Sequence, residues 1–253
     1  MNKIVFIVLT CLCSLWSQLT LGGGQQKVLA PSYKSLFVIT LGPDFIQHGQ
    51  GQFLSLLPPF QNYYTNTYPS VSVLDAGASL GLERTLGSQA WIQLSISGYG
   101  DTQFSPHGNV WEFGSPEFET LSYSYKVKHA RLMLEGKFLK IFPNHPPLHP
   151  YFSWGVGAAL NHASQYQEKA LISGAIPTLS FTNHTQTTLS WSIGLGVDYD
   201  LYEHLRLGIG YQLADLGSVS LGPTAAATNQ STLILSHLYT NQLRFQLTYL
   251  FYS

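Results

Sequence analysis

Thr188-Leu189-Ser190-Trp191-Ser192-Ile193-Gly194-Leu195-Gly196-Val197-Asp198-Tyr199-Asp200 is the stretch on which the fold turns. Leu189, Trp191, Ile193, Leu195, Val197 and Tyr199 alternate with Ser, Gly and Asp, and a period of two belongs to a β-strand with one apolar face. A short turn, Leu201 to His204, follows. Leu205, Leu207, Ile209, Tyr211 and Leu213 then resume the alternation against Arg206, Gly208, Gly210, Gln212 and Ala214, so the two runs read as a hairpin.

Working outward, the same pattern recurs. Leu243, Phe245, Leu247, Tyr249 and Phe251 alternate with Gln242, Arg244, Gln246 and Thr248. Pro150 to Asn161, Leu74 to Glu83 and Ile92 to Ser97 repeat it. Ser35 to Gly42 is apolar on both faces and reads as a strand without assigned sides. Leu121 to Phe138 changes phase: Tyr123, Tyr125 and Val127 hold one parity, and Ala130, Leu132, Leu134 and Phe138 the other. A bulge or an extension beyond a membrane accounts for such a change. Eight strands result.

Composition decides which face meets what. Of the 253 residues, 45% are hydrophobic and only 10% are Asp, Glu, Lys or Arg, against about 25% in a typical soluble domain. A soluble sandwich or lipocalin-like barrel needs a charged outer surface. Here the polar face is Gly, Ser, Thr and Gln with a few charges, which suits a narrow barrel interior, and the bulky apolar face suits lipid. A formal net charge of -1 gives no field for nucleic acid. Past the first segment no apolar run reaches the roughly 18 residues of a spanning helix. In hydrocarbon an open strand edge leaves donors and acceptors unpaired, so the sheet must close. The expected fold is all-β, an eight-stranded antiparallel up-and-down transmembrane β-barrel.

Residues 1–24 read as a signal peptide, with Lys3 before the apolar run Ile4 to Leu9, and 25–253 as the outer-membrane β-barrel domain. Both cysteines, Cys11 and Cys13, fall in the first segment, which excludes disulfides and thiolate metal sites from the barrel. Arg84 to Gln89, Leu139 to His149 and Leu201 to His204 are the shorter connections, assigned to the periplasmic side. Pro43 to Ser70, Asp101 to Thr120, Ala163 to Thr187 and Gly217 to Ser236 are long surface loops. Tyr151, Phe152, Tyr199, Tyr202, Phe251 and Tyr252 are placed in a lower aromatic girdle, and Trp191, Tyr99 and Tyr239 in an upper one.

The run from Gly196 through Tyr199, Arg206, Tyr211 and Gln212 to Gly217 resembles the penultimate hairpin of opacity-like and OmpA-like eight-stranded outer-membrane proteins. Arg244 to Phe251 resembles the assembly-signal strand of that superfamily, although the chain continues past Phe251 with Tyr252 and Ser253. The resemblance implies a Gram-negative outer membrane, recognition by the barrel-insertion machinery through Tyr249 and Phe251, and surroundings of outer-membrane lipid and lipopolysaccharide.

Parity places Asp75, Glu83, Arg131, Glu135, Asp198, Arg206 and Arg244 inside. Unpaired charge in a narrow lumen is costly, so they are expected to pair as a plug, with a gated ion path as the functional alternative. Lys126 and Lys128, near the upper rim, are candidates for lipopolysaccharide phosphate contact. An enzyme alternative rests on His162 and Ser164, which could form a base and nucleophile. That His-x-Ser pair is similar to an element of outer-membrane lipid A deacylases, but Gln165 stands where that family has Asn, and Glu168 lies too near to be its distant carboxylate. His145 and His149 are the one close histidine pair, with no further metal ligand to join them. The reading is a non-enzymatic surface barrel without cofactor or metal, whose loops contact a host or extracellular ligand.

Overall fold

The computed structural model describes residues 33–252 except 50, 58–59, 68–69, 88, 143–146, 178 and 225–231. The expected signal segment and His145 lie outside the described residues. The strands are β1 (Tyr33–His48), β2 (Gln52–Leu57), β3 (Phe60–Tyr64), β4 (Ser70–Leu86), β5 (Ala90–Asp101), β6 (His107–Trp111), β7 (Glu119–Lys140), β8 (Leu148–Ala170), β9 (His184–Tyr202), β10 (Leu205–Asp215), β11 (Val219–Ser220), β12 (Ile234–Leu235) and β13 (Leu238–Tyr252). Eight of them form a closed antiparallel ring in the order β1-β4-β5-β7-β8-β9-β10-β13, and β13 pairs back onto β1. Closure runs along most of both strands, from Lys34 opposite Tyr252 to His48 opposite Leu238. Among the described residues no helix is long and apolar enough to cross a membrane.

Wall orientation follows the alternation. Leu189, Trp191, Ile193, Leu195 and Tyr199 point outward, whereas Ser190, Ser192 and Asp198 are buried inside. Strand β1, apolar on both faces, now has sides: Ile39, Leu41 and Phe45 face out, and Leu36, Val38, Thr40 and Asp44 face in. Leu36 and Val38 meet Leu250 in a small apolar cluster inside the wall.

The phase change in β7 has a simple cause. Its facing never changes: Tyr123, Tyr125, Val127, His129, Arg131 and Met133 are all buried inside. What inverts is polarity. From Ala130 to Phe138 the outward residues are apolar, and that length matches the roughly 9–11 residues a tilted strand needs to cross a bilayer. Above, the outward residues become Lys128, Lys126, Ser124 and Ser122, while the inward ones become Tyr and Val. The strand is 22 residues long because it leaves the apolar belt and continues as the wall of a second, water-bathed structure.

That structure corrects the picture of four long loops. Strand β1 runs on to His48 and β8 to Ala170, and β2, β3 and β6 add to the upper part of β7 as a small sheet. Their inward side chains build a core of Ile46, Leu54, Tyr64, Val110 and Tyr123, joined by Phe181 from the segment after β8, Leu216 just past β10, Leu221 and the first residue of β13, Leu238. These segments are ordered by burial of apolar area, which a reading of Gly, Pro, Asn and Ser content does not reveal.

Two girdle residues are corrected as well. Tyr151 and Tyr99 lie inside the barrel at 7% and 5% exposure, because their strand parity outweighs their residue type. Phe152, Tyr199, Tyr202, Phe251, Trp191 and Tyr239 do face outward, and the Tyr252 side chain lies outside what is described.

The Tyr99 ring is admitted by Gly77 across the β4–β5 pair, where an added Cβ would come within 2.0 Å of Tyr99 Cδ1. Gly77→Val is therefore expected to cost about 1–3 kcal/mol by displacing that ring. Gly98→Ala, with nothing within 4 Å of the new carbon, should change stability by less than about 0.5 kcal/mol. Urea unfolding of the refolded barrel in lipid vesicles measures both.

Candidate functional site

Two regions carry chemistry: the barrel interior and the extension above it. Inside, inward parity on neighbouring strands stacks charged side chains in layers. At the turn end, Arg206 donates to Glu83 Oε2 at 2.8 Å and to Asp200 Oδ1 at 2.6 Å. Gln93 also donates to Glu83, at 2.8 Å, and Lys34 lies 3.9 Å from its other oxygen. His149 Nε2 sits 2.8 Å from Asp200 Oδ2 and packs on Trp91, over which Arg206 also lies.

One layer up, Lys137 bridges Asp198, at 2.7 Å, and Gln246, at 2.8 Å, and its ammonium stands 3.9 Å from the Tyr151 ring centre. At mid-height Glu135 accepts from Arg244 at 3.3 Å, from the Tyr99 hydroxyl at 2.5 Å and from Ser97. Arg244 also donates to Gln212. Higher still, Arg131 binds Asp75 at 2.9 Å and Gln242 at 3.1 Å, and Gln242 donates to Asp44 at 2.8 Å. Tyr99 is held between the Arg131 and Arg244 guanidiniums, each 4.6 Å from its ring centre. Cation–π contact with both guanidiniums fixes the ring at mid-height in the lumen.

All seven lumen residues named from parity, Asp75, Glu83, Arg131, Glu135, Asp198, Arg206 and Arg244, are thus inside and within these pairs. Sequence reasoning missed others: Asp200 and Lys34, which join the Arg206–Glu83 layer, and Lys137, Asp44 and Asp101. Lys137 follows from the β7 parity once its phase is known. Asp44 and Asp101 lie beyond the strand ends drawn at Gly42 and Ser97, and both stand in strands here. A cavity of about 40 Å³ beside Glu135, Lys137 and Tyr151 is large enough for only a few water molecules.

Above the belt, one register row carries Lys128, His162 and Thr185 on adjacent strands, all facing outward. Lys126 stands in the next row opposite Ser164. His162 Nδ1 bonds the Thr185 hydroxyl at 2.7 Å, so this ring nitrogen is directed along the row and not toward Ser164. Tyr249 and Phe251 point outward near the chain end with ring centres 4.7 Å apart.

The extension is tied by a carboxylate. Gln165 takes φ 56° at a bulge where β8 holds one residue more than β7, so parity shifts and the Tyr166 ring packs inward on Phe181. Glu168, also past the bulge, accepts from Tyr166 at 2.6 Å, from Tyr64 at 3.4 Å and from the Leu179 backbone at 3.3 Å, joining β8, β3 and the segment after β8. Burial pushes both phenols well above the ordinary tyrosine range. They stay protonated and donate.

No family model matches the chain, and no curated protein matches it. Among solved structures, it is similar to Neisserial surface protein A, at 10% identity over 84% of this chain and 96% of that one, with a TM-score of 0.38. It is similar to Ail, the attachment invasion locus protein of Yersinia pestis, at 9% identity over 87% and 99%, TM-score 0.39. The outer membrane protease OmpT from Escherichia coli matches at 9% identity over 90% and 99%, TM-score 0.42. The fold assignment rests on the closed ring of backbone pairing and the outward apolar belt, not on these matches.

Arg244→Ala leaves Glu135 buried without its cation and is expected to cost about 3–5 kcal/mol, whereas joint replacement by Met and Gln restores much of it; denaturant midpoints in vesicles distinguish the two. Glu168→Ala is expected to accelerate proteolytic nicking between 171 and 183 while leaving heat-modifiable gel migration intact, as seen by limited digestion and mass spectrometry.

Proposed function

We propose that this chain is a non-enzymatic outer-membrane barrel of a Gram-negative cell. Its membrane part is a filled post, and its extension presents a packed surface to an external partner. The observation that carries the reading is the polarity inversion along β7, which turns one wall from lipid-facing to water-facing and gives the surface segments a core of their own. Ordering so many surface residues offsets in advance the entropy that a flexible loop loses on binding.

In this reading the lumen charges Asp75, Glu83, Arg131, Glu135, Asp198, Arg206 and Arg244 serve stability. Lys128 and Lys126, one and two rows above the belt, meet lipopolysaccharide phosphates, and Tyr249 and Phe251 serve insertion. The filled interior favours a plug over a gated path.

Purified protein in planar bilayers is expected to stay electrically silent at moderate voltage. Replacing 49–69 and 102–118 by short turns should abolish attachment of expressing cells to host cells or matrix while heat-modifiable migration persists. Steady unitary currents, or attachment unchanged by the replacement, overturn the reading.

A further inference from the structure

The outer face of the β2–β3–β6 sheet belongs to neither the lumen nor the apolar belt. Phe53, Tyr63 and Trp111 stand opposite one another on three adjacent strands, with ring centres 4.6 and 5.2 Å apart and planes tilted by 47° and 43°. Their chain neighbours Leu54, Tyr64 and Val110 point the other way, into the core of the extension.

The turn after β6 extends the row. Gly114, at φ 70°, lets the backbone approach Phe53, where a Cβ would lie 3.0 Å from the ring. Phe113 meets Phe118 edge-on at 5.7 Å. Phe53 and Phe113 are each 59% exposed, so this is a continuous aromatic face and not a scatter of single surface residues.

Its charge has one sign. Glu112, Glu117 and Glu119 border the rings, and Glu119 accepts from Trp111 Nε1 at 3.0 Å and from Asn109 at 2.6 Å. Segments 49–69 and 102–119 contain no Lys or Arg. Lysines flank this face from the neighbouring strands: Lys169 of β8 lies two strands from Asn109, across Ser122, and Lys126 of β7 lies two residues past Ser124, which is opposite His107. The sheet order ends at β2, whose described backbone pairs with β3 on one side, and the Gln52 side chain meets the Ile234 backbone at its start.

We propose that the β2 edge and this aromatic–acidic face take up a positively charged, extended protein segment as an added strand. The proposal rests on the surface-interaction reading above and gives the partner its chemistry. Main-chain hydrogen bonds along β2 would supply affinity, and alternate side chains would lie across the rings. Lys or Arg on the added strand would reach over Phe53 and Tyr63, the rings nearest the β2 edge, and gain cation–π attraction, while the three carboxylates around Trp111 add longer-range charge complementarity. The same carboxylates repel polyanions.

The test uses full-length protein in lipid nanodiscs and a labelled peptide of alternating Lys and Val, with an alternating Glu and Val peptide as control, followed by fluorescence anisotropy. The Lys peptide should bind about tenfold or more tightly than the Glu peptide. Joint Glu112→Gln, Glu117→Gln and Glu119→Gln should weaken it about tenfold, as should backbone N-methylation of the peptide. Heat-modifiable migration verifies that the variant folds. Equal binding of the two peptides, insensitivity to the triple variant, or binding confined to neutral oligosaccharides and lost with Trp111→Ala overturns the proposal. If cell attachment needs 49–69 and 102–118 yet the triple variant attaches normally, this inference fails and the surface-interaction reading stands; if attachment needs neither segment, that reading fails.

Discussion

Hydrocarbon offers no partner to a backbone N–H or C=O, and the rest of this structure depends on that constraint. It forces β13 back onto β1, because any gap would leave a row of donors and acceptors unpaired in lipid. Eight strands then enclose a space that side chains alone can fill. Once the space is that small, a charged group within it is best stabilised by partners among its neighbours. Arg206 therefore engages both Glu83 and Asp200, and Tyr99 lies between two guanidiniums.

Leaving the bilayer reverses the constraint. Water satisfies an exposed strand edge, so β2, β3 and β6 can join the wall without closing a second ring. Apolar groups must now turn inward, which is why Tyr123, Tyr125 and Val127 occupy the same face as Arg131 and Met133 below them. The Gln165 bulge completes the change on β8 by re-aiming Tyr166 and Glu168 toward the new core. One continuous sheet serves two solvents.

The wall was legible in the sequence because period two survives without tertiary knowledge: Thr188 to Asp200 reads correctly from its own residues. The phase change in β7 was legible as an anomaly, and of its two explanations the extension is the one realised in that strand. The bulge belongs to β8, where no alternation marks it. Tyr99 and Tyr151 misled because aromatic character points to an interface while parity points inward, and parity wins within a paired strand. Asp44 and Asp101 escaped because each lies past the last clean alternation. The upper sheet was illegible because strands of only five or six residues, set among Gly, Pro and Asn, look like loops until the partners that bury Leu54 and Val110 are known.

The packed lumen has a consequence for the envelope as a whole. Open channels impose an osmotic ceiling on how many copies a cell tolerates, since each adds a leak. If, as proposed, Arg206, Lys137, Arg244 and Arg131 with their carboxylates stop the post along its length, abundance is separated from permeability. Its display density is then set by synthesis and crowding, not by the ion gradients it would otherwise drain.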